Sequence, residues 1–169
     1  NLYSVVVKAK IDNIVVDSVE KKIGLRSIEL VREPDEYGES FYHRVNGCPI
    51  FAMGACYVPE DNIMSRIIKE RTEELLDKCL FANFNCIRVW GGGNYPQDWF
   101  YDLCDEKGLL VFHDMMYACS QVSLDKELQD EFCYEVEENL KRIRHHACIA
   151  VICGNNEMEW YTDKNSPYG

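Results

Sequence analysis

Residues 148–157 read CIAVICGNNE, an apolar run that ends in polar side chains and a carboxylate. A short continuous apolar run is typical of a strand buried on both faces, as in a parallel sheet covered by helices. Glu157 then follows the carboxyl end of that strand. In a barrel of alternating strands and helices this end carries the catalytic residues, so Glu157 is a candidate general acid. Taken alone, residues 153–157 fit a solvated loop glutamate equally well.

Strand and helix patterns alternate in the sequence that leads up to this run. Strands are predicted over 50–57, 86–90, 109–113 and 148–152. Helices are predicted over 68–82, 96–107 and 125–144, the second of them stopped by Gly108. The result is a series of four strand–helix units with the fourth helix barely begun. Serial units of this kind imply a parallel sheet with right-handed crossovers.

The first 33 residues follow a β pattern instead. Apolar and polar residues alternate around 3–8, 14–19 and 23–30, which predicts three strands. A sandwich usually takes about seven strands, so we interpret residues 1–33 as the end of a β domain. The charged turn Glu33–Gly38 marks the predicted boundary. Residues 34–169 form the second domain, which opens with Asn46-Gly47, a two-residue hairpin signal.

Composition and charge narrow the class of protein and of partner. With 169 residues, 47% of them apolar, the chain can bury a real core. The net charge of −11 argues against nucleic acid and against an anionic membrane surface as partners. We therefore expect a neutral substrate. No apolar run reaches the roughly 18 to 20 residues of a membrane span.

The nine cysteines are an odd number and include no C-x-x-C pair. Most lie in apolar runs, so we expect reduced thiols that pack as small core residues. The histidines lack the spacing of a zinc site or of a Cys/His nucleophile pair, and no metal site is predicted. Reduced cysteines and the absence of a visible leader favour a cytoplasmic location. Asn1 stands first instead of methionine, which leaves open that an upstream segment was removed.

Four motifs follow one another along the chain. They are VNG at 45–47, RVWGGG at 88–93, FYDLCDE at 100–106 and CGNNE at 153–157. Together they resemble the β-mannosidase branch of glycoside hydrolase family 2, over about residues 23–157. The resemblance implies an α/β fold in which residues 1–33 are terminal strands of an immunoglobulin-like β-sandwich. Residues 34–169 would be the N-terminal half of a (β/α)8 TIM barrel, truncated after four strand–helix units.

The resemblance also implies a retaining mechanism that needs no metal or cofactor. Such a mechanism uses an acid/base and a nucleophile whose carboxylates lie about 5 to 5.5 Å apart. Glu157 matches the acid/base, and Asn156 matches the asparagine that hydrogen-bonds the sugar 2-hydroxyl. The nucleophile lies on the seventh strand in this family, and no residue here can be assigned to it. The chain alone is therefore expected to be inactive.

Arg88 and Trp90 are the other substrate-binding candidates. Arg88 resembles the active-site arginine that orients the nucleophile, and pairing with a strand-end carboxylate is its structural alternative. Trp90 can stack on a pyranose face or belong to the core. Asp114 and His113, at the end of the third strand, are candidates to hold the substrate-binding residues in place without contacting the substrate themselves. The glycines at 91–93 permit close backbone approach and lack the spacing of a phosphate-binding loop.

A few positions depart from the family pattern. Phe112-His113 stand where tryptophan and glutamine are usual, and Cys56-Tyr57 replace asparagine and tryptophan. Because hydrogen bonds to hydroxyls carry most of the discrimination between similar substrates, these changes bear on the choice of mannose. Ile152 replaces a usual tryptophan and is a core change.

The sequence thus predicts a β-mannosidase-like glycosidase that acts on terminal β-linked mannose. One alternative is a related β-glycosidase of the same family, of galactosidase or glucuronidase type. Another is a non-catalytic carbohydrate-binding or assembly module. A half-barrel also leaves two strand edges and an apolar inner face uncovered, so we expect self-association.

Overall fold

The computed structural model describes residues 1–120 and 125–162, which form an α/β structure with three sheets. The first sheet contains β1 (Leu2–Ile11) and β2 (Ile14–Gly24). The second contains β3 (Ile28–Val31), β4 (Tyr42–Val45) and β5 (Cys48–Ile50). The third contains β6 (Gly54–Tyr57), β7 (Cys86–Val89), β8 (Leu110–Asp114) and β9 (Ile149–Cys153).

The helices lie between and after the strands of the third sheet. They are α1 (Lys69–Phe81), α2 (Asp98–Lys107), α3 (Lys126–Ile143) and α4 (Met158–Thr162), with a 3-10 turn at Met64–Arg66. Gly108 ends α2 with a φ of 72°, as its predicted role as stop residue requires. Asp125 begins α3, since its side chain accepts a hydrogen bond from the Leu128 backbone N–H. Within the described ranges, none of the helices is long and apolar enough to cross a membrane.

The third sheet confirms the predicted series of strand–helix units. Its strands run in the order β6-β7-β8-β9, and every neighbouring pair is parallel. The described strands form an open sheet and not a barrel. Because the strands are parallel and in chain order, their carboxyl ends meet at one edge. Residues after Val89, Asp114 and Cys153 therefore lie near one another.

One face of this sheet packs against α1 and α2 to form the core. Alternate residues of the strands point to that face, so Ile87 and Val89 are buried while Arg88 points to the other side. The core combines strand and helix residues, namely Leu76, Ile87, Val89, Phe100, Tyr101, Leu103, Cys104, Leu109, Val111, Ile143 and Cys148. The opposite face carries Arg88 and Phe112, and it is the face that leads to the candidate site.

The Asn46-Gly47 hairpin is confirmed. The two residues have φ values of 49° and 80°, and they join the antiparallel strands β4 and β5. Both positive values suit the left-handed two-residue turn that matches the twist of a hairpin. The tight turn therefore sets the register of β4 against β5.

Within the first 33 residues, the strands predicted around 3–8 and 14–19 are confirmed as parts of β1 and β2, but the third predicted strand is wrong. Residues 23–30 do not form one strand, because β2 ends at Gly24 and β3 begins at Ile28. β3 pairs with β4, across the charged turn at 33–38, and not with β2. Among the described strands, β1 and β2 pair only with each other and form a separate two-stranded sheet, the β1–β2 ribbon, most of whose residues are exposed on both faces. The predicted domain boundary stays a prediction.

Arg26 connects the segment between β2 and β3 to the start of β9. Its Nε donates to the Ala147 carbonyl at 3.0 Å, and its Nη2 donates to the Ile149 carbonyl at 2.6 Å. The Cys148 carbonyl between them accepts from Val111 of β8. Since carbonyls alternate along a strand, Arg26 binds the edge of β9 that faces away from β8.

Candidate active site

Arg88 and Asp114 form an ion pair at the carboxyl end of the parallel sheet. Arg88 Nε lies 3.2 Å from Asp114 Oδ1, and Nη2 lies 2.7 Å from Oδ2, so the pair is bidentate. Asp114 is fully buried, whereas the Arg88 side chain is 34% exposed. The Gly91 backbone N–H also donates to Asp114 Oδ2, at 3.1 Å. The hydrogen bonds that Arg88 donates to Asp114 raise the pKa of Arg88 above its ordinary value.

Asn156 joins this pair from the end of β9. Arg88 Nη2 donates to Asn156 Oδ1 at 2.7 Å, and Asn156 is 7% exposed. The structure therefore brings together three of the predicted site residues, from the ends of three consecutive strands. Because Arg88 binds the amide oxygen, the orientation of the amide is fixed and its NH2 group faces away from Arg88.

Glu157 directly follows this cluster and is exposed. Its φ of 59° lies in the left-handed region that non-glycine residues seldom adopt. The backbone beside it is held by pairing between two loops: the Asn156 N–H donates to the Tyr117 carbonyl at 2.8 Å, and the Cys119 N–H donates to the Asn156 carbonyl at 3.0 Å. These bonds extend the β8–β9 pairing to the point where Glu157 leaves the sheet.

Trp90 lies over the glycine loop that follows β7. A Cβ added to Gly92 would approach the Trp90 ring to 1.9 Å, so the ring covers that residue. A Cβ at Gly91 would lie 2.6 Å from the Met115 carbonyl oxygen, which belongs to the loop after β8. The predicted close approach to a neighbouring loop is therefore present at Gly91, whereas at Gly92 the close contact is with the Trp90 side chain of the same loop. Trp90 itself is partly exposed.

His113 lies on the other side of β8, against α2. The Tyr101 hydroxyl lies 2.8 Å from Nε2, and Nδ1 lies 2.7 Å from the Asp114 carbonyl oxygen. Since a carbonyl only accepts, Nδ1 carries the proton and Nε2 accepts from Tyr101. Burial lowers the pKa of His113 to about 4, which keeps the ring neutral. The structure does not bring this ring into the Arg88 cluster, although it holds the backbone of Asp114.

The two departures on the inner face lie beside Arg88. Its guanidinium carbon is 5.6 Å from the centre of the Phe112 ring, within the range of a cation–π contact. Cys56 is the register neighbour of Arg88 on β6. Residues 1–120 and 125–162 contain no group of three or more His, Cys, Asp or Glu side chains placed to hold a metal ion.

Cys119 is the residue of this region that the sequence did not indicate. Its Sγ lies 3.3 Å from Asn156 Nδ2 and 3.7 Å from Glu157 Oε2. All nine cysteines are free thiols, but the expectation that most of them pack as small core residues is wrong. Burial is limited to Cys86, Cys104 and Cys148. No local pattern distinguishes Cys119, because its position depends on the pairing of two distant loops.

Comparison with known proteins identifies close relatives over most of the chain. No protein-family profile matches it. β-Mannosidase B of Aspergillus flavus is 40% identical over 156 residues, which are 92% of this chain and 18% of the relative. β-Mannosidase B of Aspergillus niger is 40% identical over 174 aligned residues, covering 97% of this chain and 21% of the relative.

The solved structures give the same result. β-D-Mannosidase from Dictyoglomus thermophilum is 41% identical and superposes with a TM-score of 0.84, over 87% of this chain and 18% of that one. The chain spans about a fifth of the length of the relatives it matches. Over most of its length, this chain is therefore similar to β-mannosidases of Aspergillus and of Dictyoglomus thermophilum.

Proposed function

We propose that this chain is part of a retaining β-mannosidase-like glycosidase and supplies its acid/base, Glu157. One observation carries the proposal: Arg88, Asp114 and Asn156 form one hydrogen-bonded cluster at the carboxyl end of a parallel sheet, directly before Glu157. That end of a strand–helix barrel is where catalytic residues lie. The relatives that match most of the chain are themselves named β-mannosidases.

The proposed architecture is the first half of a (β/α)8 barrel, at residues 34–169. Four parallel strands in chain order, with helices packed on one face, support this assignment. Residues 1–33 would then be the terminal strands of an immunoglobulin-like sandwich. The remaining strands and the nucleophile would come from outside this chain, so we expect the isolated chain to be inactive.

In the proposed mechanism Glu157 protonates the departing glycosidic oxygen and then activates water for the second step. Both steps need a carboxyl group that reaches the sugar from a fixed backbone. The backbone pairing on both sides of Asn156 provides that fixed position. The second carboxylate, which would attack the anomeric carbon, is not assigned to this chain.

Asn156 is suited to bind the sugar 2-hydroxyl. Its amide oxygen is occupied by Arg88, and one amide hydrogen points to Cys119. The second amide hydrogen is the donor that remains for a hydroxyl. Trp90 would provide an apolar wall against a pyranose face. Arg88, fixed by two partners, would orient the nucleophile.

The test uses the full-length protein that carries this segment, with Glu157→Gln and the matched control Glu159→Gln. We expect kcat/KM for p-nitrophenyl β-mannoside to fall about 1,000-fold in Glu157→Gln, because the leaving oxygen loses its proton donor. The loss should be much smaller for 2,4-dinitrophenyl β-mannoside, whose leaving group departs without a proton. Glu159→Gln should keep the activity of the parent.

Substrate identity is tested by a panel of aryl glycosides. Hydrolysis of the β-mannoside, with little or none of the β-galactoside and β-glucuronide, is the expected result. Cleavage of another β-glycoside alone would reject mannose and keep the glycosidase. Unchanged kcat/KM of Glu157→Gln with both leaving groups would reject Glu157 as the acid/base. A parent that cleaves none of these compounds would favour a non-catalytic module.

A further inference from the structure

A continuous series of hydrogen bonds leads from the buried carboxylate to Glu157. Arg88 donates to Asp114 and to Asn156 through the same nitrogen, Nη2, at 2.7 Å each. Asn156 then uses its Nδ2 to donate to Cys119 Sγ at 3.3 Å. Cys119 Sγ finally donates to Glu157 Oε2 at 3.7 Å. Every donor in this series has a proton to give and every acceptor has a lone pair.

The thiol is the connecting group between the cluster and the carboxylate. In the part of the chain that the structure describes, Cys119 is the side chain that hydrogen-bonds the Glu157 carboxylate. Nearby polar groups are engaged elsewhere: Ser120 Oγ contacts Met158 Sδ, and Asn155 Oδ1 accepts from the Met158 N–H. Truncation of the thiol would therefore remove the side-chain hydrogen bonds that link the Glu157 carboxylate to the Arg88 cluster, while the backbone beside Glu157 stays paired.

The backbone places the thiol in this position. Cys119 has a φ of 50°, and its N–H donates to the Asn156 carbonyl at 3.0 Å. The left-handed conformation turns the side chain back toward the loop after β9. Cys119 is partly exposed, which leaves the thiol accessible to small reagents.

We propose that Cys119 is a positioning residue whose thiol holds the Glu157 carboxyl group beside the Asn156 amide. Glu157, the proton donor, and Asn156, which donates a hydrogen bond to the 2-hydroxyl, then contact the same sugar. This inference rests on the proposed function. It predicts a defect specific to proton donation. A merely structural role would weaken all substrates alike.

The kinetic test compares Cys119→Ala, Cys119→Ser and the exposed control Cys133→Ala in the full-length protein. In Cys119→Ala we expect kcat/KM for p-nitrophenyl β-mannoside to fall about 10-fold, because a displaced acid transfers its proton poorly. With the 2,4-dinitrophenyl substrate the change should stay within about 2-fold. Cys119→Ser keeps a donor and should restore most of the activity. Cys133→Ala, which replaces an exposed thiol of α3 that makes no hydrogen bond to Asn156 or Glu157 among the described residues, should match the parent.

An equal loss with both leaving groups, or no rescue by serine, overturns the proposal. If Glu157→Gln loses activity while Cys119→Ala does not, the positioning role falls and the proposed function stands. A parent that cleaves none of the β-glycosides overturns both.

A second measurement tests the contact itself without using turnover. Iodoacetamide labelling of the folded protein, followed by peptide mass spectrometry, gives the alkylation rate of Cys119 relative to Cys133. Glu157→Ala removes the side chain that contacts the thiol and opens the sulfur to the reagent, so it should raise the alkylation rate of Cys119 relative to Cys133 about 3-fold. An unchanged rate would show that thiol and carboxyl are not in contact, and would overturn the proposal.

Discussion

Asp114 is a buried residue whose carboxylate charge is compensated by its partners. It is fully buried, yet its carboxylate accepts hydrogen bonds from Arg88 and from the Gly91 N–H. A buried carboxylate without such partners would be strongly disfavoured. The ion pair therefore stabilises the fold and also orients Arg88. The two interpretations of Arg88 made from the sequence, an active-site arginine and the partner of a strand-end carboxylate, are compatible.

Asp114→Asn should destabilise the protein substantially. The amide cannot replace the charge, so Arg88 would keep its desolvation without full compensation. We expect a loss of about 3 kcal/mol in the free energy of unfolding, measured by urea denaturation. Asp130→Asn is the matched control, because Asp130 pairs with Lys126 where both side chains are exposed. Its effect should stay below about 0.5 kcal/mol, and an equal effect of both variants would contradict the prediction.

His113 makes stability depend on pH. Its pKa is lowered by burial to about 4 in the folded state, against an ordinary value of 6.5. Between these values the unfolded chain binds a proton that the folded chain does not, so the folded state loses stability as the pH falls from 6.5 to 4. The full contribution is about 3 kcal/mol and is present above pH 6.5. Burial lowers the pKa of His43 in the same direction.

The measurement is urea unfolding at a series of pH values for the parent, His113→Gln and His145→Gln. Removing the buried imidazole should flatten the dependence between pH 4 and 6.5. His145 is exposed, so its replacement should change the slope less. A slope that His113→Gln leaves unaltered would show that another group controls acid unfolding.

The residues of the candidate site differ in how far the sequence reveals them. Arg88, Asn156 and Glu157 stand at strand ends within quoted motifs, so strand prediction together with the resemblance was enough to select them. Cys119 could not be selected, because its φ of 50° and its place beside Glu157 follow from long-range pairing of Tyr117 and Cys119 with Asn156.

At the scale of elements, the sequence predicted turns and helices correctly where the local sequence signal is strong. Asn46-Gly47 and Gly108 adopt the positive φ values that their positions require. Helical periodicity located α1 and α3 to within a few residues. The failure at 23–30 has a tertiary cause: Arg26 leaves the ribbon to bind carbonyls near β9, which interrupts an otherwise continuous β pattern. Such a contact has no local signature.

Gly54 is required by the pairing of β6 with β7. A Cβ at this position would lie 1.7 Å from the Cys86 carbonyl oxygen, and a backbone atom of a paired strand cannot move aside cheaply. Gly54→Ala should therefore lower the free energy of unfolding by about 3 kcal/mol, measured by thermal or urea unfolding.

Gly154→Ala is the control for this substitution. Apart from its own chain neighbours, no heavy atom of residues 1–120 and 125–162 lies within 4 Å of a Cβ at Gly154, and its φ is not in the left-handed region. We expect less than about 0.5 kcal/mol of change. Similar losses from both alanines would mean that glycine is needed for another reason than the contact with Cys86.

At the scale of the whole molecule, exposed apolar surface is extensive. The β1–β2 ribbon exposes Val7 and Ile14, which are 59% and 69% accessible. Ile152 of the edge strand β9 is 38% accessible, so the expectation that it is a core residue is wrong. The parallel sheet ends at β6 and β9 with edges that no described strand covers. Exposed edges and apolar patches promote association.

We expect the isolated 169-residue chain to self-associate through the open edges of the parallel sheet. Light scattering should give a mass above that of the monomer that rises with concentration, and a hydrophobic dye should bind. Ile152→Lys on the edge strand β9 should reduce association more than Val7→Lys on the ribbon, which lies away from the edges of the parallel sheet. A clean monomer at high concentration without dye binding would contradict the expectation.

The guanidinium of Arg26 gives the two sheet edges unequal roles. By occupying the outward carbonyls of Ala147 and Ile149, it blocks the first rungs of the ladder that an incoming strand would form on β9. Any such strand, from the same polypeptide or from another molecule, can begin pairing only beyond Ile149. Arg26 therefore restricts the register of a partner strand on β9. A strand aligned with the second half of β9 can pair, whereas one shifted toward the start of β9 cannot.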